Sequence, residues 1–270
     1  MIPTVGDFLR LIERIAPMKL AEPWDNPGLQ IGDSEQKIRK IFSSLDPTFE
    51  ALLRTSQFDA QVLFTHHPLI FKPVSHIEIN TYPGQILAHA AQKNISVVSA
   101  HTNLDVARSG INDILANLLG LNDIVVLRPH TEAPDVGLGR IGNLSEPSDL
   151  LNLANAIRKQ LGAEHIRLAG HTQKNSVERI AVVGGSGGSL IPDAAKMDAD
   201  VLITGDIGHH AALEAKFLGI ALIDGGHFHT EKTAFNIFCR KLKKIFKEEG
   251  WEVEIETDDA QVDPMGITSF

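Results

Sequence analysis

The residues that stand out as capable of chemistry are histidines and carboxylates placed where apolar runs end. His66 and His67 follow directly on the apolar run 61–65 and are followed by Pro68. Proline cannot extend a central strand, so the pair is expected at the C-terminal end of a strand, where open α/β sheets place their ligand sites. Neighbouring strand residues point to opposite faces. Two rings at such a tip would reach two different ions, or two sides of one crevice. A solvated surface pair is the alternative that these two residues alone leave open.

An internal repeat narrows the choice. Residues 58–65 align with 197–204 at an offset of 139, and the same offset aligns Lys40-Ile41 with Arg179-Ile180. Further on, Asn94-Ile95 aligns with Gly219-Ile220, each opening an apolar run. These runs lead to His101-Thr102-Asn103-Leu104-Asp105 and to His227-Phe228-His229-Thr230-Glu231, two His-x-x-x-acid segments 126 positions apart. One such segment is weak evidence; two at matched points of two matching halves are much stronger. Duplication with unrelated polar tips is the competing explanation. If the halves pack face to face, their strand-end loops bring His66, His67, His101, Asp105, His227 and Glu231 together. At a helix start, residues i and i+4 share a face, so His227 and Glu231 can address one centre.

Imidazole and carboxylate without thiolate suit zinc, iron, manganese, cobalt or nickel and argue against copper(I) or iron–sulfur chemistry. Five or six such ligands exceed what one tetrahedral ion needs. Two divalent ions roughly 3.5–4 Å apart, bridged by Asp105 or Glu231, account for the number better, and the chemistry they favour is metal-assisted hydrolysis. Other candidates carry less. Ser186, in the glycine-rich stretch 184–189, lacks the context of a nucleophile elbow, and the stretch matches neither phosphate-loop nor dinucleotide fingerprint. A tight turn is expected there, with anion binding at the next helix start as the alternative. Asp206, His209 and His210 sit where the second half matches His66-His67, as substrate contacts or as surface polarity. His76, His89, His130, His165 and His171 are expected to be structural or solvated.

The elements that must position these groups alternate between strand and helix. Strands are expected over 38–45, 60–65, 95–100, 123–127, 177–183, 199–204, 220–224 and 251–257. Helices are expected within 1–17 and over 47–57, 84–94, 110–119, 148–161, 211–217 and 231–247, with Ser148 as an N-cap. That order is the pattern of a parallel or mixed sheet covered by helices. The segment 21–32, with two prolines and two glycines, is expected to be a shaped loop with Trp24 as a packing anchor. The chain has 270 residues, 43% hydrophobic and 22% charged, enough for one large domain or two associated halves. Its net charge of −9 argues against binding of nucleic acid through the phosphate backbone. The single cysteine, Cys239, permits no intrachain disulfide, and the amphipathic start and lack of a long apolar run predict a cytoplasmic protein with no membrane span.

Four segments together resemble the Nif-three-like family, whose members are often labelled GTP cyclohydrolase 1 type 2 homolog. They are Trp24-Asp25-Asn26-Pro27-Gly28-Leu29-Gln30-Ile31-Gly32, Thr65-His66-His67-Pro68-Leu69-Ile70-Phe71, His101-Thr102-Asn103-Leu104-Asp105 and Gly226-His227-Phe228-His229-Thr230-Glu231. The resemblance spans essentially the whole chain. It implies two similar α/β halves with mixed sheets, a dinuclear metal site in the cleft between them, and a ring-shaped homohexamer. Carried over by motif, the metal ligands are His66, His67, Asp105, His227 and Glu231. His101 aligns with a site histidine of less defined role, a possible catalytic helper. Some members carry an inserted domain; here 1–127 and 143–270 are expected as the halves and 128–142 as a junction without one. The function implied is metal-dependent hydrolysis of a small molecule such as a nucleotide. The alternative is a non-enzymatic metal-binding regulator, chaperone or ring-shaped scaffold for a partner protein.

Overall fold

The computed structural model describes residues 1–174 and 176–266. In chain order the elements are α1 (Val5–Ile15), β1 (Gly28–Ile31), β2 (Lys40–Ser44), α2 (Phe49–Gln57), β3 (Val62–Thr65), α3 (Gly84–Lys93), β4 (Ser96–Ser99), α4 (Thr102–Val106), α5 (Ile111–Leu118), β5 (Asn122–Pro129), β6 (Gly137–Ser148), α6 (Leu150–Leu161), β7 (Arg167–Gly170), β8 (Val177–Ser186), α7 (Ile191–Lys196), β9 (Val201–Gly205), α8 (His209–Leu218), β10 (Ala221–Asp224), α9 (His227–Glu248) and β11 (Glu254–Thr257). They form two compact units. The first holds Met1–Leu104 and Phe235–Val262; the second holds Asp105–Ala234 and the chain from Asp263.

The first unit is built on a five-stranded mixed sheet of order β1-β4-β3-β2-β11. β2, β3 and β4 are parallel, with Ile41 opposite Val62 and Val62 opposite Ser96. All four residues of β3 are buried, as expected of a parallel strand covered on both faces. Leu63 and Val97 pack with α2 and α3 through Leu52, Ile86 and Ala90. On the other side Phe64 meets Phe8 of α1 edge-on at 5.2 Å and Phe235 of α9 at 5.4 Å. α1 starts where Thr4 and Asp7 form a reciprocal capping box, which satisfies two otherwise orphaned N–H groups.

The second unit is a six-stranded mixed sheet of order β5-β6-β8-β9-β10-β7. Its three parallel strands repeat the register of the first: Ile180 lies opposite Val201, each 139 positions beyond the Ile41–Val62 pair. Strand alternation divides the core into two layers. Ile180, Val182, Val201, Ile203, Ala221 and Ile223 pack with α5 and α6. Ala181, Leu202 and Leu222, on the opposite face, pack with α7 and with Ala215 of α8.

Several expectations are corrected. The division does not follow 127 and 143: β5 pairs antiparallel with β6 in the second sheet, and β11 pairs with β2 in the first. The stretch 128–142 is mostly the hairpin of β5 and β6, because pairing across strands is invisible to local periodicity. The end of the loop 21–32 is β1, paired with β4. The cap of α6 is Asp149, whose carboxylate accepts from the N–H groups of Leu151 and Asn152, so Ser148 is not the cap. β7 and α4, of four and five residues, are each too short for their period to register in the sequence.

Phe8→Ala removes a fully buried ring from the contact with Phe64. A loss of about 3–5 kcal/mol is expected for such a truncation, read from the urea unfolding midpoint. A loss below about 1 kcal/mol would contradict the packing described for this face.

Candidate metal centre

β3 ends at Thr65, and the chain turns at once. The N–H groups of His66 and His67 both donate to the Leu45 carbonyl, at 3.2 and 3.0 Å. Strand alternation therefore stops at Thr65, and the two rings lie together with centroids 5.1 Å apart rather than on opposite faces. His101 follows β4 after a single alanine. Its ring lies 5.2 Å from that of His66 and 5.3 Å from that of His67. One ligand atom from each of the three falls within 4.8 Å of the others.

Each of these rings is oriented through Nδ1. His66 is completely buried, and its Nδ1 donates to the Ala100 carbonyl at 2.8 Å. His67 Nδ1 meets Asp46 Oδ1 at 2.6 Å, while Asp46 Oδ2 accepts from Gln261 at 2.7 Å. His101 Nδ1 meets Asp25 Oδ1 at 2.7 Å, and Asp25 Oδ2 accepts from the Thr102 N–H at 3.0 Å and from its hydroxyl at 2.5 Å. Burial works to raise the Asp25 carboxyl, but the His101 ring, Thr102 and the Asn26 N–H outweigh it and hold it at about 2. An acceptor on Nδ1 places the proton there and leaves the lone pair on Nε2, the arrangement that orients metal-binding imidazoles.

The second unit assembles the other carboxylates. α9 begins at His227, so His227 and Glu231 lie one turn apart on one face, as their spacing predicted. Nε2 of His227 is 2.9 Å from Glu231 Oε2, and its Nδ1 meets Asp206 Oδ2 at 2.7 Å. Glu231 is buried, at 3% exposure. Room for it comes from the glycine-rich stretch. Gly185 has φ +64°, and a Cβ there would stand 2.0 Å from Glu231 Oε1. Gly205 likewise leaves space for the first residue of α9, since its Cβ would meet the His227 nitrogen at 2.4 Å. Asp105, also buried, lies near the end of α4. The buried Asn112 side chain donates to the Asp105 carbonyl at 3.0 Å and accepts from the Gly184 N–H at 2.9 Å, tying that turn to the backbone beside Glu231.

Of the predicted residues, then, the first unit brings His66, His67 and His101 together, and the second joins His227 to Glu231 and links the Asp105 turn to the same backbone. Asp206, positioned 139 residues after His67, orients a histidine. His209 and His210 are exposed on α8 with rings 5.6 Å apart, and His229 faces Asp263 at 3.4 Å. The stretch 184–189 combines the end of β8, at Ser186, with space at Gly185 for the Glu231 carboxylate. Four contributors escaped the sequence reading: Asp25, Asp46, Asn112 and Gly185. Asp25 stands in the Trp24-to-Gly32 motif, and Gly185 in the glycine-rich stretch 184–189. Nothing local marks Asp46 or Asn112. Trp24 is not a packing anchor: it is 57% exposed. Cys239 is buried, and burial pushes its thiol up to about 12.

Fold and site together define a class: a two-sheet α/β protein with histidine and glutamate groups at its strand ends that could hold a metal ion. Residues 3–264 match the family described as Duf34/NIF3 (NGG1p interacting factor 3), and the chain belongs to that family. It is 35% identical over 240 residues to a GTP cyclohydrolase 1 type 2 homolog of Clostridium perfringens, covering 89% of this chain and 91% of that one. It is 33% identical over 261 residues to the protein of the same name from Clostridium acetobutylicum, covering 96% and 97%. The structure of a Bacillus cereus protein related to NIF3 superposes with a TM-score of 0.94 at 25% identity, covering 99% of this chain and 100% of that one. These matches bear out the resemblance carried by the four motifs. No helix among the described residues is long and apolar enough to cross a membrane.

Gly185→Ala should destabilise more than Gly219→Ala. Both glycines have positive φ, but a Cβ at 219 meets nothing within 4 Å. Gly219→Ala should lose about 1 kcal/mol from backbone strain alone, and Gly185→Ala that amount plus the displacement of a buried carboxylate. Equal shifts in paired urea unfolding curves would contradict the close approach of Glu231.

Proposed function

We propose that this protein binds two divalent metal ions through His66, His67, Asp105, His227 and Glu231 and uses them to hydrolyse a small molecule such as a nucleotide. The observation that carries the reading is the convergence of His66, His67 and His101, each held by an oxygen acceptor on Nδ1. Histidines placed for solvation alone have no need of a fixed tautomer. A carboxylate as buried as Glu231, set against a histidine nitrogen, fits the same donor set. The set is all nitrogen and oxygen and suits zinc, iron, manganese, cobalt or nickel.

Metal ions so held supply Lewis acidity toward a phosphoryl or carbonyl oxygen and make water a nucleophile at neutral pH. The protein's own groups do the remaining work. Asp46 and Asp206 hold His67 and His227 in one orientation. His101 is the proton carrier in this reading: Asp25 keeps the proton on Nδ1, so Nε2 is the atom that accepts one. Relatives named GTP cyclohydrolase 1 type 2 homolog support a nucleotide as the first substrate to try.

Elemental analysis of the purified protein should find close to two transition-metal ions per chain after metal supplementation, and His67→Ala and Glu231→Ala should each lose most of that metal while keeping the far-UV spectrum of the fold. Full metal content in both variants would overturn the ligand assignment. With nucleotides and phosphoesters as substrates, His101→Ala should reduce turnover about a hundredfold or more. A metal-loaded protein that turns over none of them would be a metal-binding regulator or scaffold and not a hydrolase.

A further inference from the structure

Trp24 and Phe71 are large aromatic residues left 57% and 45% exposed beside the histidine cluster. Their ring centroids are 5.6 Å apart at an interplanar angle of 54°. Both stand edge-on to His101, at 6.1 and 6.4 Å. An exposed tryptophan on a slack loop would need no explanation, but this one is clamped on its C-terminal side. Asp25, whose side chain is wholly buried, anchors the loop to His101 and Thr102. Asn26 donates to the Ile70 carbonyl at 2.6 Å, Gln30 Oε1 accepts from the Ile70 N–H at 3.0 Å, and Gln30 Nε2 donates to the Asn26 carbonyl at 2.7 Å. This closed set of hydrogen bonds joins the residues next to the two rings. The loops of Trp24 and Phe71 are thus fixed to one another, and the apolar faces they present are held toward solvent.

Water gains nothing from such a surface, and burying it against a ligand releases its hydration. Aromatic faces fixed in advance lose little further entropy on binding and favour flat partners. We propose that Trp24 and Phe71 form an aromatic platform for a planar heteroaromatic ring of the substrate, of the nucleobase kind, which stacks on one of the two rings and meets the other, inclined at 54° to it, at an angle. The edge of that ring, or its attached group, would reach the adjacent His101. The proposal rests on the metal-dependent reading above and deepens it: the substrate is recognised by its ring as well as by any group the metal ions engage. Stacking of this kind accepts any base, because every base has a π-face.

Trp251 is the other tryptophan, so Trp251→Phe makes Trp24 the sole indole reporter. Guanosine monophosphate added to this metal-loaded variant should quench its emission, and ribose 5-phosphate at the same concentration should not. By equilibrium dialysis, Trp24→Ala and Phe71→Ala in the wild-type background should each weaken guanosine monophosphate binding about tenfold. Their metal content should equal that of wild type, and Trp24→Phe should recover most of the affinity. The platform is overturned if both alanine variants bind guanosine monophosphate as wild type does, if ribose 5-phosphate binds as tightly, or if Trp24→Ala loses its metal, which would make the residue a support for the histidines. A wild-type protein that takes up no metal would instead sink the hydrolase reading, so the two failures are told apart.

Discussion

The hydrogen bonds on Nδ1 of His66, His67 and His101 in the first unit, and of His227 in the second, are the interactions on which the candidate metal-binding groups of each unit depend. An imidazole offers a lone pair on either nitrogen and rotates about two bonds. An acceptor on one nitrogen removes both freedoms at once. Here the acceptors are the Ala100 carbonyl and the carboxylates of Asp46, Asp25 and Asp206. Three of them stand on backbone that the sheets fix: Asp46 follows β2 closely, Ala100 follows β4, and Asp206 follows β9. Asp25 lies in the loop before β1. Ends of parallel strands thus supply the histidines and three of the four groups that aim them.

Space matters as much as polarity. Here the glutamate side chain is buried against a histidine where the neighbouring backbone comes close without a side chain of its own. Gly185 at φ +64° meets that need, and Gly205 allows α9 to start directly over the end of β9. The long helix then sets His227 and Glu231 one turn apart by its own period. The first half solves a related problem differently. One residue separates β4 from His101, and two glycines separate β10 from His227, so the half-repeats differ by one position where their tips begin. That difference explains why β4 and β10 lie 125 positions apart (96 to 221) while their His-x-x-x-acid segments lie 126 apart (101 to 227).

Much of this was legible before any coordinates. The strand and helix alternation, the strand end at Thr65 and the helical face shared by His227 and Glu231 follow from apolar runs, proline and helix period. What stayed hidden was set by contacts distant in sequence. Asp46 and Asn112 have no local signature, and their roles are defined by partners 21 and 72 residues away. The attachment of β11 to the first sheet is likewise a choice of hydrogen-bonding edge, which a strand's own sequence does not encode. The exposure of Trp24 is hidden from the sequence for a similar reason. Most tryptophans are well buried, and only the geometry of its loop shows this one held outward.

By itself, the sequence determined the residue types of the site, the repeated positions from which they project, and the family that those motifs identify, because motif spacing and strand or helix period are local properties of the chain. The tertiary structure decided which nitrogen each histidine presents, which carboxylates serve as orienting groups, and how closely glycine lets the backbone approach Glu231. It also turned the opening pair around. His66 and His67, expected to face apart as neighbours on a strand, point to one place because the strand ends just before them and the Leu45 carbonyl gathers both N–H groups into a turn.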